Sequence, residues 1–351
     1  MKTSKVYIIT VNYKTCRDTI ECLESVFKST YPDFQVIVVN NNAYDDDMKY
    51  MLEWASGAAG PLPDRGTPIE KLSNPPCAKP LPHILYDRLQ AEAGGIKTSE
   101  EKLKNPVIFI DAGRNGGYAA GNNIGIKYAL AKGDFEYVWL LNNDTVVEKE
   151  SLALLVEAAG QNAGRNLKFG MTGPKLRYYH NPGIINGVAG LYNRLLGVGK
   201  LLGAFQKDTG QFDRDDIVPD YVPGAAMLAG RDFITDTGLL NEEYFLYFEE
   251  IDWAIRGAKK GYGTGYCYKS VVYHKEGASV GSSSKGGKKS ELADYYSIRN
   301  RIVFTKKYFS RYLPFLYASM ALVILNRILR GQFSRVKMIL GILSGKGRPG
   351  L

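Results

Sequence analysis

The 351-residue chain is expected to fold as an α/β protein: a Rossmann-like, mostly parallel sheet flanked by helices, with a helical basic C-terminal tail. Three observations predict this. Residues 6–13 ("VYIITVNY") and 34–42 ("FQVIVVNNN") hold nearly continuous β-branched runs, as in parallel strands covered on both faces. Segments with helical spacing lie between such runs, and that alternation produces βαβ units. Several runs also stop abruptly at polar clusters, and ligands of such sheets sit beyond the carboxyl ends of the strands.

The first strand, 6–13, is followed by "TIECLESVFKST" (19–30), where Ile20, Leu23 and Phe27 recur at helical spacing. The second strand, 34–42, stops at Asn40-Asn41-Asn42. Residues 57–105 are rich in Pro, Gly and charge and read as a long excursion before the third strand, "PVIFIDAGRN" (106–115). A helix is expected over 119–133. The fourth strand, "YVWLLNND" (137–144), runs from Val, Trp and Leu straight into Asn142-Asn143-Asp144. An unpartnered buried amide or carboxylate costs roughly 1–3 kcal/mol, so the polar ends of strands two, three and four should face a cleft. Beyond Gln161 short strands and glycine turns continue to residue 290. A helix, "ELADYYSIRNRIVFTKKYF", and the apolar "LPFLYASMALVIL" (313–325) follow.

Apolar content of 45% supports a large core. The four cysteines show no CxxC spacing, which disfavours a disulfide scaffold or zinc cluster and fits a reducing compartment. The start, "MKTSKVYIITVNY", enters a strand without an apolar leader, and a cytoplasmic location is expected. From Tyr295 onward there are 11 Lys and Arg and no Asp or Glu, against 34 basic and 36 acidic residues before it, so the +9 excess belongs to the tail. Such a tail meets something anionic, a lipid surface or nucleic acid. Thirteen uncharged residues are too few for the ~20 of a spanning helix. Flanked by Lys306, Lys307 and Arg311 and by Arg327, Arg330, Arg335 and Lys337, they suit an interfacial helix or one packed on the domain.

No P-loop is present, and "GRNGGYAAGNN" does not match GxGxxG. Asn142 and Asp144 form an NxD pattern able to supply part of the oxygen shell of a divalent cation; Asp144 could equally cap a following helix. In "NEEYFLYFEEIDWAIRGAKKGYG" (241–263), Glu249, Glu250 and Asp252 adjoin Tyr244, Phe245, Tyr247 and Phe248. A carboxylate among rings is partly desolvated and suited to accept a proton, although acids at a helix start also complement its dipole. His274 in "SVVYHKEGASVG" reads as a ligand or a structural histidine. The loop "GSSSKGGKKS" (281–290) reads as a cover for a pyrophosphate or a solvated linker.

In order along the chain, "IITVNYKT", "VIVVNNN", "GRNGGYAAGNNIG", "WLLNNDT", "YVPGAAMLAGRDF", "GLLNEEYFLYFEEIDWAIRGAKKGY" and "VYHKEGAS" resemble family 2 inverting glycosyltransferases, above all the rhamnosyltransferase-like branch, over most of residues 5–310. The resemblance implies a GT-A fold over 1–290, with a nucleotide-sugar-binding half (1–150) and an acceptor half (151–290), before the tail at 291–351. It implies transfer of a sugar, rhamnose first, from a dTDP- or UDP-linked donor to a saccharide or lipid-linked saccharide in cell-surface polysaccharide synthesis. It places Mg²⁺ or Mn²⁺ at Asp144 and His274, with Asn142 at the first DxD position, and makes Glu250 the general base. Donor contacts fall to Val11, Asn12, Tyr13, Asn40, Asn42, Asn115, Gly117, Asn122, Asn142 and Asn143; acceptor-side positions are Gly224, Ala225, Glu249 and Asp252.

Three positions depart from the pattern: Asn40 and Asn142 replace acids, and Glu250 stands where an Asp is usual. A nucleotidyltransferase would bring a glycine-rich, lysine-bearing loop where this chain reads "VNYKTCRD". A nucleic-acid-binding module would have no use for the apolar run in the tail. No nucleic-acid partner is therefore expected, and the enzyme is expected at the inner face of the plasma membrane as a peripheral protein.

Overall fold

Alternate residues of each apolar run point to opposite faces of the sheet, and both faces are covered. A computed structural model describes residues 4–60, 66–162, 168–276 and 290–346. In the first half β1 (Val6–Asn12), α1 (Cys16–Val26), β2 (Phe34–Asn40), α2 (Asp46–Ser56), β3 (His83–Asp87), α3 (Arg88–Glu92) and α4 (Lys97–Glu100) are followed by β4 (Val107–Asp111), α5 (Gly117–Lys132), β5 (Tyr137–Leu141), β6 (Thr145–Val147) and α6 (Ser151–Asn162). The second half holds β7 (Lys168–Tyr178), β8 (Asn181–Gly187), β9 (Ala189–Asn193), β10 (Val198–Leu202), β11 (Ala226–Gly230), α7 (Arg231–Thr237), α8 (Glu249–Ala258), β12 (Tyr262–His274), α9 (Glu291–Tyr308), α10 (Leu313–Leu329) and α11 (Phe333–Leu343).

The large sheet runs β3-β4-β2-β1-β5-β11-β7-β12-β6, with β8 on β7. Its first five strands are parallel; β11 is inserted antiparallel between β5 and β7, and β6 pairs antiparallel with β12. On β1, Tyr7 and Ile9 join the core under α5 and α8, whereas Val6 and Ile8 join the core under α1 and α6. On β5, Val138 and Leu140 face the first core and Trp139 and Leu141 the second. Two small residues set the depth of α5. A Cβ at Gly121 would lie 2.7 Å from Val11 Cγ1, and one at Gly125 2.7 Å from Ile9 Cγ2, so glycine lets this helix rest directly on β1.

Four differences from the sequence reading appear. Strands two to four end at Asn40, Asp111 and Leu141, so each polar cluster lies at or just beyond the end of its strand. The excursion at 57–105 contains an edge strand, β3, whose short "HILYD" run becomes a strand by pairing with β4. The tail helix α10 continues past Leu325 to Leu329 and lies in an apolar stretch of 20 residues, Ser310–Leu329, so it meets the length that 13 residues lacked. The beginning of the expected tail also belongs to the main body, since Phe304 of α9 sits in the first core.

Candidate active site

Beyond the carboxyl ends of β1, β2, β4 and β5 the chain turns through asparagines, and most of their amides point at one another. Asn12 Nδ2 donates to Asn40 Oδ1 (2.8 Å) and Asp47 Oδ2 (3.0 Å), and Thr19 Oγ1 donates to Asn12 Oδ1. Asn40 Nδ2 donates to Asp45 Oδ1 (3.1 Å) and to the Ala43 carbonyl. Asn42 Nδ2 donates to the other oxygen of Asp45. Asn143 Nδ2 bridges the hydroxyls of Thr15 and Thr19. These groups fix the floor of the cleft rather than reaching into it. A residue outside the expected set, Asn41, ties β2 to the start of α5 by donating to Asn115 Oδ1 and the Gly117 carbonyl. Asn122 donates back to the Tyr118 carbonyl within its own helix. Val11, Tyr13 and Asn142 are only half-buried at the rim.

Asp144 opens the short turn into β6, so it caps no helix; α6 starts seven residues later. Pairing of β6 with β12 sets His274 opposite Thr145, and His274 Nε2 lies 3.2 Å from Asp144 Oδ1. Burial alone would push the Asp144 carboxyl up, but His274, then Lys275, outweigh it and hold the carboxyl below its ordinary range. Burial likewise opposes charge on His274, and Asp144 overcomes it, leaving the imidazole raised. The other ring nitrogen, Nδ1, is 3.3 Å from Asn186 Oδ1, and Asn186 Nδ2 donates to Glu276 Oε1.

These two side chains fit a divalent cation as adjacent ligands. Octahedral ligands at the 2.0–2.1 Å of Mg²⁺ stand about 3 Å apart, close to the separation found. Among the described residues no group of three or more His, Cys, Asp or Glu forms a cage; a two-ligand protein shell leaves its remaining places to water and substrate oxygens. The loop at 281–290 expected to cover a pyrophosphate lies outside the described residues except for Ser290, which caps α9 by accepting from the Ala293 N–H.

The link to the carboxylates runs through β11. Leu141 pairs with Ala226, and the Asn142 N–H donates to the Ala225 carbonyl, which puts Gly224 and Ala225 beside the end of β5. Tyr118 OH donates to the Gly224 carbonyl at 2.7 Å. Burial, and then the charges of Glu249 and Glu250, push the Tyr118 hydroxyl well up, so both carboxyls lie near it. Glu249 is 4% exposed, and its Oε2 has no hydrogen-bond partner among the described residues. Burial, then Glu250, pushes Glu249 well above the usual carboxyl range. Burial pushes Glu250 up to about 7.

Asp252, one helical turn away, has a different setting. It is fully buried and accepts from Tyr244 OH, Lys307 Nζ and Tyr308 OH on one oxygen and from Arg256 Nε on the other. Burial would raise it, yet Lys307, Tyr308 and Arg256 hold it low. The structure thus keeps Asp252 in a lock between α8 and α9, apart from Glu249 and Glu250.

The loop before the carboxylates is strained. Phe245, Tyr247 and Phe248 have φ of 61°, 68° and 77°, a region bulky side chains avoid. Asn300, fully buried on α9, holds it by donating to the carbonyls of Tyr244 (2.7 Å), Leu246 (2.8 Å) and Tyr247 (3.2 Å). From the other side the Tyr118 N–H donates to the Phe245 carbonyl. Gly117, at φ 85°, has no room for a side chain, since a Cβ would lie 2.2 Å from that carbonyl oxygen. Neither Asn300 nor the strain had a sequence signal; Tyr118 did, within "GRNGGYAAG".

Comparisons with known proteins bear on the fold and on part of the sequence. Residues 88–228 match the sequence model of "Glycosyl transferase family 2", a stretch that includes Asn142, Asp144, Gly224 and Ala225. The chain is 23% identical over 236 residues to the low-salt glycan biosynthesis hexosyltransferase Agl10 of Haloferax volcanii, covering 65% of this chain and 72% of that protein. The structure of GalNAc-T7 with UDP, GalNAc and Mn²⁺ superposes with a TM-score of 0.56 at 14% identity. That match covers 91% of this chain but 51% of the other, so this chain spans about half its length. The fold is thus of the GT-A type, and residues 88–228 resemble glycosyltransferase family 2 in sequence.

Proposed function

We propose that the protein is an inverting, metal-assisted glycosyltransferase that moves a hexose-type sugar from a nucleoside diphosphate to a hydroxyl of a saccharide or lipid-linked saccharide. The observation that carries this is an Asp144–His274 pair spaced as adjacent cation ligands, together with a Glu250 carboxyl that burial pushes up to about 7 and that neighbours Tyr118, whose hydroxyl is bonded to Gly224 beside the end of β5. A general base works best when its pKa lies near the working pH, and Glu250 meets that condition whereas the locked Asp252 does not. Glu250 takes the proton of the acceptor hydroxyl while that oxygen bonds to the anomeric carbon. The bond from that carbon to the diphosphate breaks on the opposite face, and one displacement inverts the centre. Asp144 and His274 would hold Mg²⁺ or Mn²⁺, which when bound neutralises charge on the diphosphate. Glu249, buried deeper and with Glu250 beside it, is pushed up by burial and by that neighbour's charge, so it resists carrying a second negative charge next to Glu250.

The resemblance to the rhamnosyltransferase-like branch makes dTDP-rhamnose the first donor to test and UDP-hexoses the next, with cell-surface polysaccharide synthesis as the setting. A panel of nucleotide-sugars with Mn²⁺ tests the proposal. The true donor should raise the melting temperature, because a ligand bound only by the folded state stabilises it by RT ln(1 + [L]/Kd). It should also release its nucleoside diphosphate in the presence of an acceptor. If no nucleoside diphosphate sugar protects the protein or is turned over, the proposal is wrong.

A further inference from the structure

The two C-terminal helices bury one narrow stripe and leave the rest apolar and exposed. On α10, Leu316 and Met320 pack against Ile298 and Ile302 of α9 and Ile339 of α11. The opposite face carries Phe315, Leu322, Leu325 and Leu329, which are 53%, 68%, 52% and 78% exposed. They stand at spacings of seven, three and four residues, so they form one line along the helix. Phe333 and Leu340 of α11 are likewise more than half exposed. Within the apolar stretch Ser310–Leu329 only Leu316 and Met320 are buried against the protein, so a core helix is not what this is. Large contiguous apolar faces on a folded protein mark interaction sites.

Charge says what covers it. Of the tail's 11 cations, Arg327 and Arg335 are held by Asp294, Lys307 by Asp252, and Arg301 by the Leu196 carbonyl and Ser319. Arg311, Arg330, Lys337 and Lys346 are exposed at the ends of the two helices and within α11, and the chain after Asp294 has no acidic residue. An apolar face edged by cations, with aromatic rings at Phe315, Tyr317 and Phe333, matches the acyl boundary and headgroups of an anionic leaflet.

We propose that the outer face of α10 and α11 docks the enzyme on an anionic lipid surface, with both helices lying in the plane of the interface. The internal ties favour helices lying flat over a spanning arrangement. Arg327 grips both oxygens of Asp294 at 3.0 and 3.1 Å, and Arg301 reaches Ser319 across the α9–α10 contact. To cross a bilayer, α10 would have to break these ties and leave its packing on α9 and α11. The docking face lies one helix layer from the proposed site, because α9 holds the strained loop through Asn300 and stacks Tyr296 on Phe245 at 4.8 Å. The inference goes beyond the transfer reaction and stands without it.

The test is flotation of the full-length protein with phosphatidylcholine vesicles, with and without phosphatidylglycerol. The protein should float with the anionic vesicles at low salt and release in high salt. The double variant L322E/L329E should stay in solution. Each cation near an anionic leaflet is worth about fivefold in partitioning, so R311A/R330A/K337A should bind on the order of a hundredfold more weakly. The changed side chains are exposed, and unaltered melting temperatures would show that both variants fold. A wild-type protein that ignores anionic vesicles at low salt overturns the proposal. So does release only by detergent and not by alkaline carbonate, which would mean a spanning helix. A third refuting result is a change of L322E/L329E from dimer to monomer without any vesicle binding, which would assign the face to a second copy of this chain.

Discussion

Replacing Asn300 by Ala removes one amide that serves three carbonyls. Asn300 is fully buried, and its Nδ2 lies 2.7, 2.8 and 3.2 Å from the oxygens of Tyr244, Leu246 and Tyr247. A buried acceptor deprived of its donor costs about 1–3 kcal/mol. The long third bond counts least, and water can reach part of the vacated space, so a total of about 2–4 kcal/mol is expected. The loop also holds three non-glycine residues at positive φ, each strained by about 1–3 kcal/mol. Without the clamp the loop can relax that strain by moving, which recovers stability at the expense of geometry.

Glu249 follows this loop directly and Glu250 is next, so the carboxyl moves with it. A 1 Å misplacement of a reacting group costs on the order of 10²-fold. N300A should therefore melt several degrees lower and lose about one to two orders of magnitude in kcat. Donor affinity should be nearly unchanged, since Asp144 and His274 belong to β6 and β12. Thermal unfolding, steady-state kinetics and donor titration measure the three quantities. A variant that loses stability but keeps kcat would show that the loop does not position the base. One that keeps both would refute the clamp altogether.

Glu250→Gln should lower kcat by roughly 10²–10⁴-fold with donor binding intact, measured by turnover and by titration of the nucleotide-sugar. A base acts when deprotonated, and Glu250 is pushed up to about 7; wild-type activity should thus rise with pH and level off above about 7. A rate that is flat between pH 5 and 8 would contradict that. Asp144→Ala should abolish metal-dependent turnover and the Mn²⁺-dependent part of donor protection in a thermal shift, with the fold intact. Asn40→Asp should destabilise, because the new carboxylate would meet Asp45 Oδ1 where Nδ2 now donates at 3.1 Å. Its raised carboxyl keeps the folded state sound at low pH, so the loss should be fullest near neutrality and shrink toward pH ~4, the ordinary Asp range; urea unfolding at several pH values checks it.

The first half of the fold was legible because strands covered on both faces need apolar residues at every position, and 6–13, 34–42 and 137–144 show that pattern. β3 was not, because five residues with a single fully buried side chain, Tyr86, carry little periodicity, and pairing with β4 makes the strand. Within the site, location was legible and orientation was not. A polar run after an apolar strand marks the cleft, but whether each amide meets a ligand or a neighbour depends on residues far away in sequence. Asn143 is satisfied by Thr15, 128 positions off, and Asn12 by Asn40, 28 positions off.

The same reasoning separates three acids that look equivalent in "FEEIDW". Helical geometry turns Asp252 toward Arg256 one turn on, where α9 supplies Lys307 and Tyr308. Four donors satisfy it and keep it charged. Glu249 and Glu250 begin the helix, where backbone N–H groups point at them but no cation meets them among the described residues, and burial sets their proton affinity. A carboxylate that is fully bonded has no lone pair to offer a substrate, and one that is desolvated and unpaired holds its proton more tightly than an exposed one. Of the three, the proposed base Glu250, half-buried and pushed up to about 7 by burial, is the acid that lies between these limits.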